Sequence, residues 1–353
     1  MLRKLLLCSL FLWACGFTLK AQEEDSEEEI IDFDNLVPAE EVKAFASPRI
    51  INGGPQNLFS IAYDFQGAHD LQAGGIPGFP GTPAQDIEVS AIQEFRIDAQ
   101  YPVLSKNSIT VNLQFNYLRT RFGYGEDVLL TNPLLQTLDE NGLTSTSLAA
   151  VVFKPLDIDN FMIFQAGASL NGDYTLGDMQ SLSHTRFFAA VIYGWKPNDR
   201  KMWGLGITRS YIGGPLNYFP VIYYQYSSEN GRWGLDVLLP SRFNYKRNFS
   251  RKSILSLGWN LQGNSYRLNA LVNEAENREP ELRRSELRFR AIFDQAITNT
   301  IWLSAQAGMR YAWDFNVDNG DFYRSIFNDD PYLFENDMSS AFFAQIGLRW
   351  VSP

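Results

Sequence analysis

An all-β fold is predicted, a transmembrane antiparallel up-and-down β-barrel of about fourteen strands with twelve as the alternative. Three observations predict it. The chain opens with an export signal, it carries no apolar run long enough for a membrane helix, and from Asn57 onward it breaks into period-two segments of about ten residues separated by Gly, Pro, Asn and Asp. With no helix available, a closed barrel is the remaining way to satisfy backbone polar groups in lipid.

The signal comes first. Arg3 and Lys4 precede an apolar stretch from Leu5 to Phe17, and cleavage after Ala21 suits the small residue wanted there. Leu12-Trp13-Ala14-Cys15 loosely resembles a lipobox, but the bulky Trp13 argues against lipidation of Cys15. Cys8 and Cys15 both lie in the signal, so the mature chain has no thiol and no disulfide. The expected organisation is a signal over 1–21, an acidic and largely disordered segment over 22–56, and the barrel over 57–353. Of the net charge of −10, much belongs to the second part, since Gln22 to Glu41 holds ten acidic residues and no basic one. Such a run repels itself and stays solvated, and its periplasmic partner is unknown. The rest is nearly balanced, which excludes the basic surface a nucleic-acid binder needs.

Strands are expected to begin near residues 57, 88, 107, 146, 160, 186, 202, 218, 231, 241, 253, 283, 300 and 340. The clearest alternates Ile109, Val111, Leu113, Phe115 and Tyr117 with Thr110, Asn112, Gln114 and Asn116. Arg242 to Asn248 is weakly patterned, hence the alternative of twelve. Short turns are read at Pro197-Asn198-Asp199, Glu229-Asn230-Gly231 and Thr298-Asn299, and long outward loops over Gly67 to Ile87, Thr120 to Thr144, Asn171 to Thr185, Asn273 to Glu281 and Asn316 to Ser339. Tyr117, Trp195, Tyr211, Trp313 and Trp350 sit at strand ends, where interfacial belts want aromatics.

In the final strand, Phe342, Ala344, Ile346, Leu348 and Trp350 alternate with Ala341, Phe343, Gln345, Gly347 and Arg349. It resembles the C-terminal strand by which outer-membrane barrels are recognised by their assembly machinery, with Phe342, Ile346, Leu348 and Trp350 as the insertion signal. It departs from that pattern in the trailing Val351, Ser352 and Pro353. The expected partners are outer-membrane lipid and that machinery, and the expected location is the outer membrane.

If apolar residues face lipid, their neighbours face the lumen. These include Asp64, Glu94, Arg96, Asp98, Glu286, Arg288, Arg290, Asp294, Arg310 and Arg349. Two readings stand for them: a selectivity lining, with Arg288, Arg290, Arg310 and Arg349 as a basic wall, or a salt-bridge network that plugs the barrel. The Arg288 and Arg290 pair suits the lining, and Glu94, Arg96 and Asp98 suit the network. Closure would bring Asp64 toward Arg349.

No catalytic residue, metal ligand set or cofactor is expected. His69 and His184 are read as solvated loop histidines, because Ser183-His184 and His69-Asp70 are only sequence neighbours. Asp314, Asn316, Asp318, Asn319 and Gly320 start like an EF-hand loop, but the Gly is one place late and Ser325 stands where Glu belongs. Gly74, Gly75, Gly78 and Gly81 have no phosphate-loop spacing and read as an outer loop.

Leu19-Lys20-Ala21-Gln22, the segment from Arg232-Trp233-Gly234 to Leu239-Pro240-Ser241, and Gly258 to Leu268 with Tyr266-Arg267-Leu268 together resemble a family of uncharacterised outer-membrane barrels of the Bacteroidota, domain-of-unknown-function family 6268. The resemblance implies the barrel and its location and lends no catalytic residue. The functional expectation is a passive, porin-like channel for small solutes through a charged lumen. The alternative is a closed barrel with a structural, adhesion or assembly role through its outer loops, and an outer-membrane hydrolase is a more distant one.

Overall fold

A computed structural model describes residues 45–75, 83–174, 185–272, 279–320 and 332–352. The signal, both cysteines, the acidic run to Glu41, His184, Gly78, Gly81 and Ser325 lie outside the described residues. The wall consists of β1 (Gln56–Gln66), β3 (Gln85–Lys106), β4 (Ile109–Tyr124), β5 (Leu143–Pro155), β6 (Asn160–Gly172), β7 (Arg186–Asn198), β8 (Lys201–Ser210), β9 (Asn217–Ser227), β10 (Trp233–Leu239), β11 (Arg242–Ser250), β12 (Ser253–Arg267), β13 (Glu281–Ala296), β14 (Ile301–Asp318) and β16 (Ala341–Ser352). Two short segments, β2 (His69–Ala73) and β15 (Asp337–Met338), pair with one another at the long-connection end.

Each wall strand pairs antiparallel with its neighbour, and β1 pairs with both β3 and β16, so fourteen strands close on themselves. The alternative of twelve fails because Arg242–Ser250 is laddered on both sides, to β10 and to β12. Its alternation is real: Phe243 and Tyr245 share one face, while Asn244 and Lys246 share the other.

Period two does the sorting. On β1, Phe59, Ile61, Tyr63 and Phe65 are exposed outward, while Ser60, Ala62, Asp64 and Gln66 are buried toward the lumen. Such an outward apolar band suits hydrocarbon. Aromatics stack on the outer face near the short-turn end. Trp195 lies 4.3 Å from Trp203 and 4.9 Å from Tyr193, and Trp233 lies 5.1 Å from Tyr226 and 6.2 Å from Tyr245. Trp313 and Trp350 are exposed outward. Tyr211, expected in a belt, is instead buried, because it begins a connection that packs against the wall.

That connection, 211–216, fills a notch. The β10–β11 hairpin is low, so β12 between Leu261 and Arg267 has no ladder partner on that side among the described residues. The Ser265 hydroxyl donates to the Gly214 carbonyl at 2.8 Å, and the Ser285 hydroxyl to the Ile212 carbonyl at 2.9 Å. Gly263 has to lack a side chain, since a Cβ would fall 2.2 Å from the Ile212 oxygen. Across the notch the end of β6 bridges β12 directly, Gly172 against Arg267.

Both ends of the lumen are filled. The segment between β4 and β5 is not an open loop but contains α1 (Pro133–Glu140), with Pro at the first helical position and the Asn132 side chain capping the Leu134 N–H. Leu134, Leu135 and Leu138 pack into a core with Leu71, Phe122 and Phe315. At the other end, residues 45–55 cross the mouth, although the sequence predicts disorder there. Ala46 N–H donates to Asp157 O at 2.8 Å and Ile51 N–H to Asp199 O at 2.8 Å, and Ile50 joins Phe153, Phe161, Ile192, Met202 and Val221. The Lys196 ammonium donates to the Arg49 carbonyl at 2.9 Å and to Ser47, and Lys246 to the Gly53 carbonyl at 3.3 Å.

Candidate functional site

Positions 284, 286 and 288 of β13 share one face, and the ladder sets β13 beside β14, then β16, then β1 and β3. Lumen-facing residues of these strands meet in the middle. Arg284 donates to Glu94 at 2.8 Å and to Glu286 at 2.6 Å. Arg288 donates to Glu94, Glu286 and Asp64, each at 3.0 Å. Two arginines and two glutamates thus alternate in a closed ring, with Asp64 attached. Thr120 accepts from Arg284 at 3.1 Å, and the Phe343 ring lies 5.1 Å from the Arg288 guanidinium. Every member is buried. In such a setting each charge depends on its neighbours, since an unpaired buried ion is strongly destabilising.

The ring places the ten expected lumen charges unequally. Asp64, Glu94, Glu286 and Arg288 are in it. Arg96 stands at its edge, 3.7 Å from Glu94 and 3.2 Å from Gln262. Asp98 accepts a long bond from Ser60, at 3.4 Å, and no other side-chain bond among the described residues. Arg349 pairs with Asp294 at 3.0 Å and not with Asp64, because the seam register sets Asp64 opposite Gln345 and Arg349 opposite Ser60. Arg290 meets Gln306 at 3.3 Å and has no ion pair among the described residues. Arg310 is fully buried, and none of its three guanidinium nitrogens has a hydrogen-bond partner among the described residues. The expected basic wall is therefore broken by carboxylates at Arg288 and Arg349. Arg284, which completes the ring, was absent from the sequence-derived set although it keeps the spacing of 286 and 288. The insertion-signal residues Phe342, Ile346, Leu348 and Trp350 all face outward and are exposed.

Below the ring lies a cavity of about 480 Å³. Glu94, Arg284 and Glu286 border it on one side, and Ile192 and Val221 of the lower apolar cluster on the other. Ser145, Ser147, Gln165 and Asn264 supply neutral polar groups between them. Arg96 and Asp98 also line it, so a space of this size combines charged groups with hydroxyls and amides, which suits one small polar molecule.

Two expectations are corrected. His69 is not a solvated loop residue: it lies on β2, is buried, and its Nδ1 is 2.8 Å from the Gly67 carbonyl. In the segment resembling an EF-hand, Asp314, Asn316 and Asp318 lie on β14 and not in a loop. Asp314 accepts from the Asn316 side chain at 2.9 Å, and Asp318 accepts from Arg283 at 2.7 Å. Among the described residues no cluster of His, Cys, Asp and Glu could hold a metal ion.

No family model and no curated protein matches the chain. Among solved structures it is similar to an outer-membrane channel from Pseudomonas putida F1, at 11% identity and a TM-score of 0.37, covering 90% of this chain and 100% of that one. The KdgM porin in complex with disordered oligogalacturonate gives 7% identity and a TM-score of 0.33, covering 83% and 99%. The outer membrane protease OmpT from Escherichia coli gives 8% and 0.28, covering 84% and 97%. None of the three bears on what this chain binds.

Proposed function

We propose that the chain is an outer-membrane barrel, short turns in the periplasm and long connections outside, that passes a small polar solute through its lumen and is held closed in this state. The cavity of about 480 Å³ carries the reading. It lies in the lumen, it is polar on several strands, and the seal beneath it is built partly from residues 45–55, which belong to no wall strand. Kinship with domain-of-unknown-function family 6268 is part of this proposal and rests on the motifs alone. So does recognition of β16 by the assembly machinery.

The test is single-channel conductance in a planar bilayer, comparing the refolded full chain with a variant lacking residues 45–53. The full chain should conduct rarely and the deletion more often, with the core around α1 remaining as the constriction. Within the deletion, Arg290→Gln should lower any anion preference, because Arg290 lacks an ion pair, whereas the charge of Arg288 is already met by three carboxylates. A folded deletion variant without current would overturn the channel reading. It would favour a closed barrel acting through its long connections, which the apolar core around α1 also supports.

A further inference from the structure

Two arginines face the wrong way for a lumen role. On β4 the outward row runs Leu113, Phe115, Tyr117, Arg119, Arg121, since Tyr117 pairs with Ile97, Arg119 with Phe95 and Arg121 with Gln93, all on the outer face of β3. Tyr63 and Phe65 of β1 continue that face opposite Phe95 and Gln93. On β4 the apolar row therefore ends at Tyr117, and two guanidiniums follow at the next two outward positions. An outward arginine is strongly disfavoured at the hydrocarbon midplane and tolerated at the interface, which favours a position for these two near the headgroups.

Neither arginine has a carboxylate partner within ion-pair distance among the described residues. Arg119 donates to three neutral acceptors, the Thr144 hydroxyl, the Tyr174 carbonyl at 2.9 Å and the Asn141 carbonyl. Those bonds aim and hold the guanidinium without cancelling its charge. Arg121 is exposed. Between them and the band lies a groove of about 550 Å³, with Phe95, Phe115 and Tyr117 as its floor and Gln93, Arg119 and Arg121 at its rim. Asp139 and Glu140, at the end of α1, line an adjoining groove on the far side of Arg121. They repel an anion from above and so favour a position lower down, beside Arg119.

We propose that this groove binds a phosphate-bearing lipid of the outer leaflet, its phosphate between Arg119 and Arg121 and an acyl chain along Phe95 and Phe115. The charge complementarity selects the anion, and the apolar floor selects a lipid over a free ion. The orientation rests on the outer-membrane placement proposed above, but the site is independent of any current through the lumen.

The test is native mass spectrometry of the refolded full chain in a neutral maltoside detergent, titrated with dioctanoyl phosphatidic acid, dioctanoylglycerol and inorganic phosphate. Phosphatidic acid should be retained and the other two should not. Arg121→Gln should weaken its binding about tenfold, the equivalent of one charge-assisted contact. Asp139→Asn should strengthen it. Arg119→Gln should abolish it, and if that variant does not fold, the exposed Arg121 decides the matter alone. Equal binding by wild type and Arg121→Gln would overturn the proposal. So would inorganic phosphate binding as tightly as the lipid, which marks a simple ion site, or dioctanoylglycerol doing so, which marks only an apolar surface.

Discussion

The two ends of the lumen are sealed by different means. At the long-connection end, α1 lies between two wall strands and its leucines share a core with side chains of β2, β3, β4, β12, β13 and β14. At the short-turn end, residues 45–55 lie across the mouth from one side, and much of what holds them is main-chain hydrogen bonding and the reach of Lys196 and Lys246. A seal woven into the wall loses stability with the whole barrel. One laid across a mouth can leave while the wall stays intact.

The largest effect should come from the ring between the two seals. Arg288→Met leaves Glu94, Glu286 and Asp64 short of a cation in a buried site, and should destabilise the barrel by about 3–5 kcal/mol, read from urea unfolding in lipid vesicles. A loss below about 1 kcal/mol would show the ring to be wet. Next comes a direct contrast of the seals. Leu138→Ala should lower global stability by about 2–5 kcal/mol, because the core around it cannot collapse freely. Ile50→Ala removes a comparable side chain, but the loss is capped by the free energy of undocking its segment. It should leave the unfolding midpoint nearly unchanged while raising the frequency of open events in a bilayer. If both substitutions shift the midpoint equally, the two seals are alike and the comparison collapses.

The smallest effect concerns an anchor of the lower seal. Asp157, in the β5–β6 turn whose carbonyl receives Ala46, accepts from the Asn160 side chain at 2.8 Å and from the Asn160 N–H at 2.7 Å. These bonds, and a third from the Asp159 N–H, hold its carboxyl below the ordinary aspartate range. A depressed folded value means that the turn is stabilised above the unfolded aspartate value and that this contribution fades as pH falls through the folded one. Asp157→Asn should therefore weaken protection of the Ala46 amide from hydrogen exchange at neutral pH, flatten its acid limb, and differ little from wild type at low pH, where the wild-type turn has already lost this contribution.

The wall was legible because lipid imposes one rule on every strand. Phe59, Ile61, Tyr63 and Phe65 must face out whatever surrounds them, so spacing alone locates β1. Lumen partners obey no such rule. That Asp64 meets Arg288 and not Arg349 follows from the stagger of the β1–β16 seam, which no local pattern encodes. Arg284 kept the right spacing and could have been found by extending the row back from Glu286. Arg119 and Arg121 also kept a spacing, and the row beginning at Leu113 already placed them outside. The expectation that charge belongs in the lumen hid them. Residues 45–55 were hidden by their neighbours in sequence, because an acidic run precedes a segment whose docking depends on turns far along the chain.

The seam has a consequence in time. The first wall strand finds one of its two partners in β16, the last of the described strands to be made, so a chain made from its N-terminus holds β1 with an unsatisfied edge until β16 exists. Residues 45–55 wait as well, since their seat is assembled from β5 to β11. Circularisation thus joins strands far apart in the sequence and follows the other wall pairings, and until it happens β1 keeps a bare edge open to other strands.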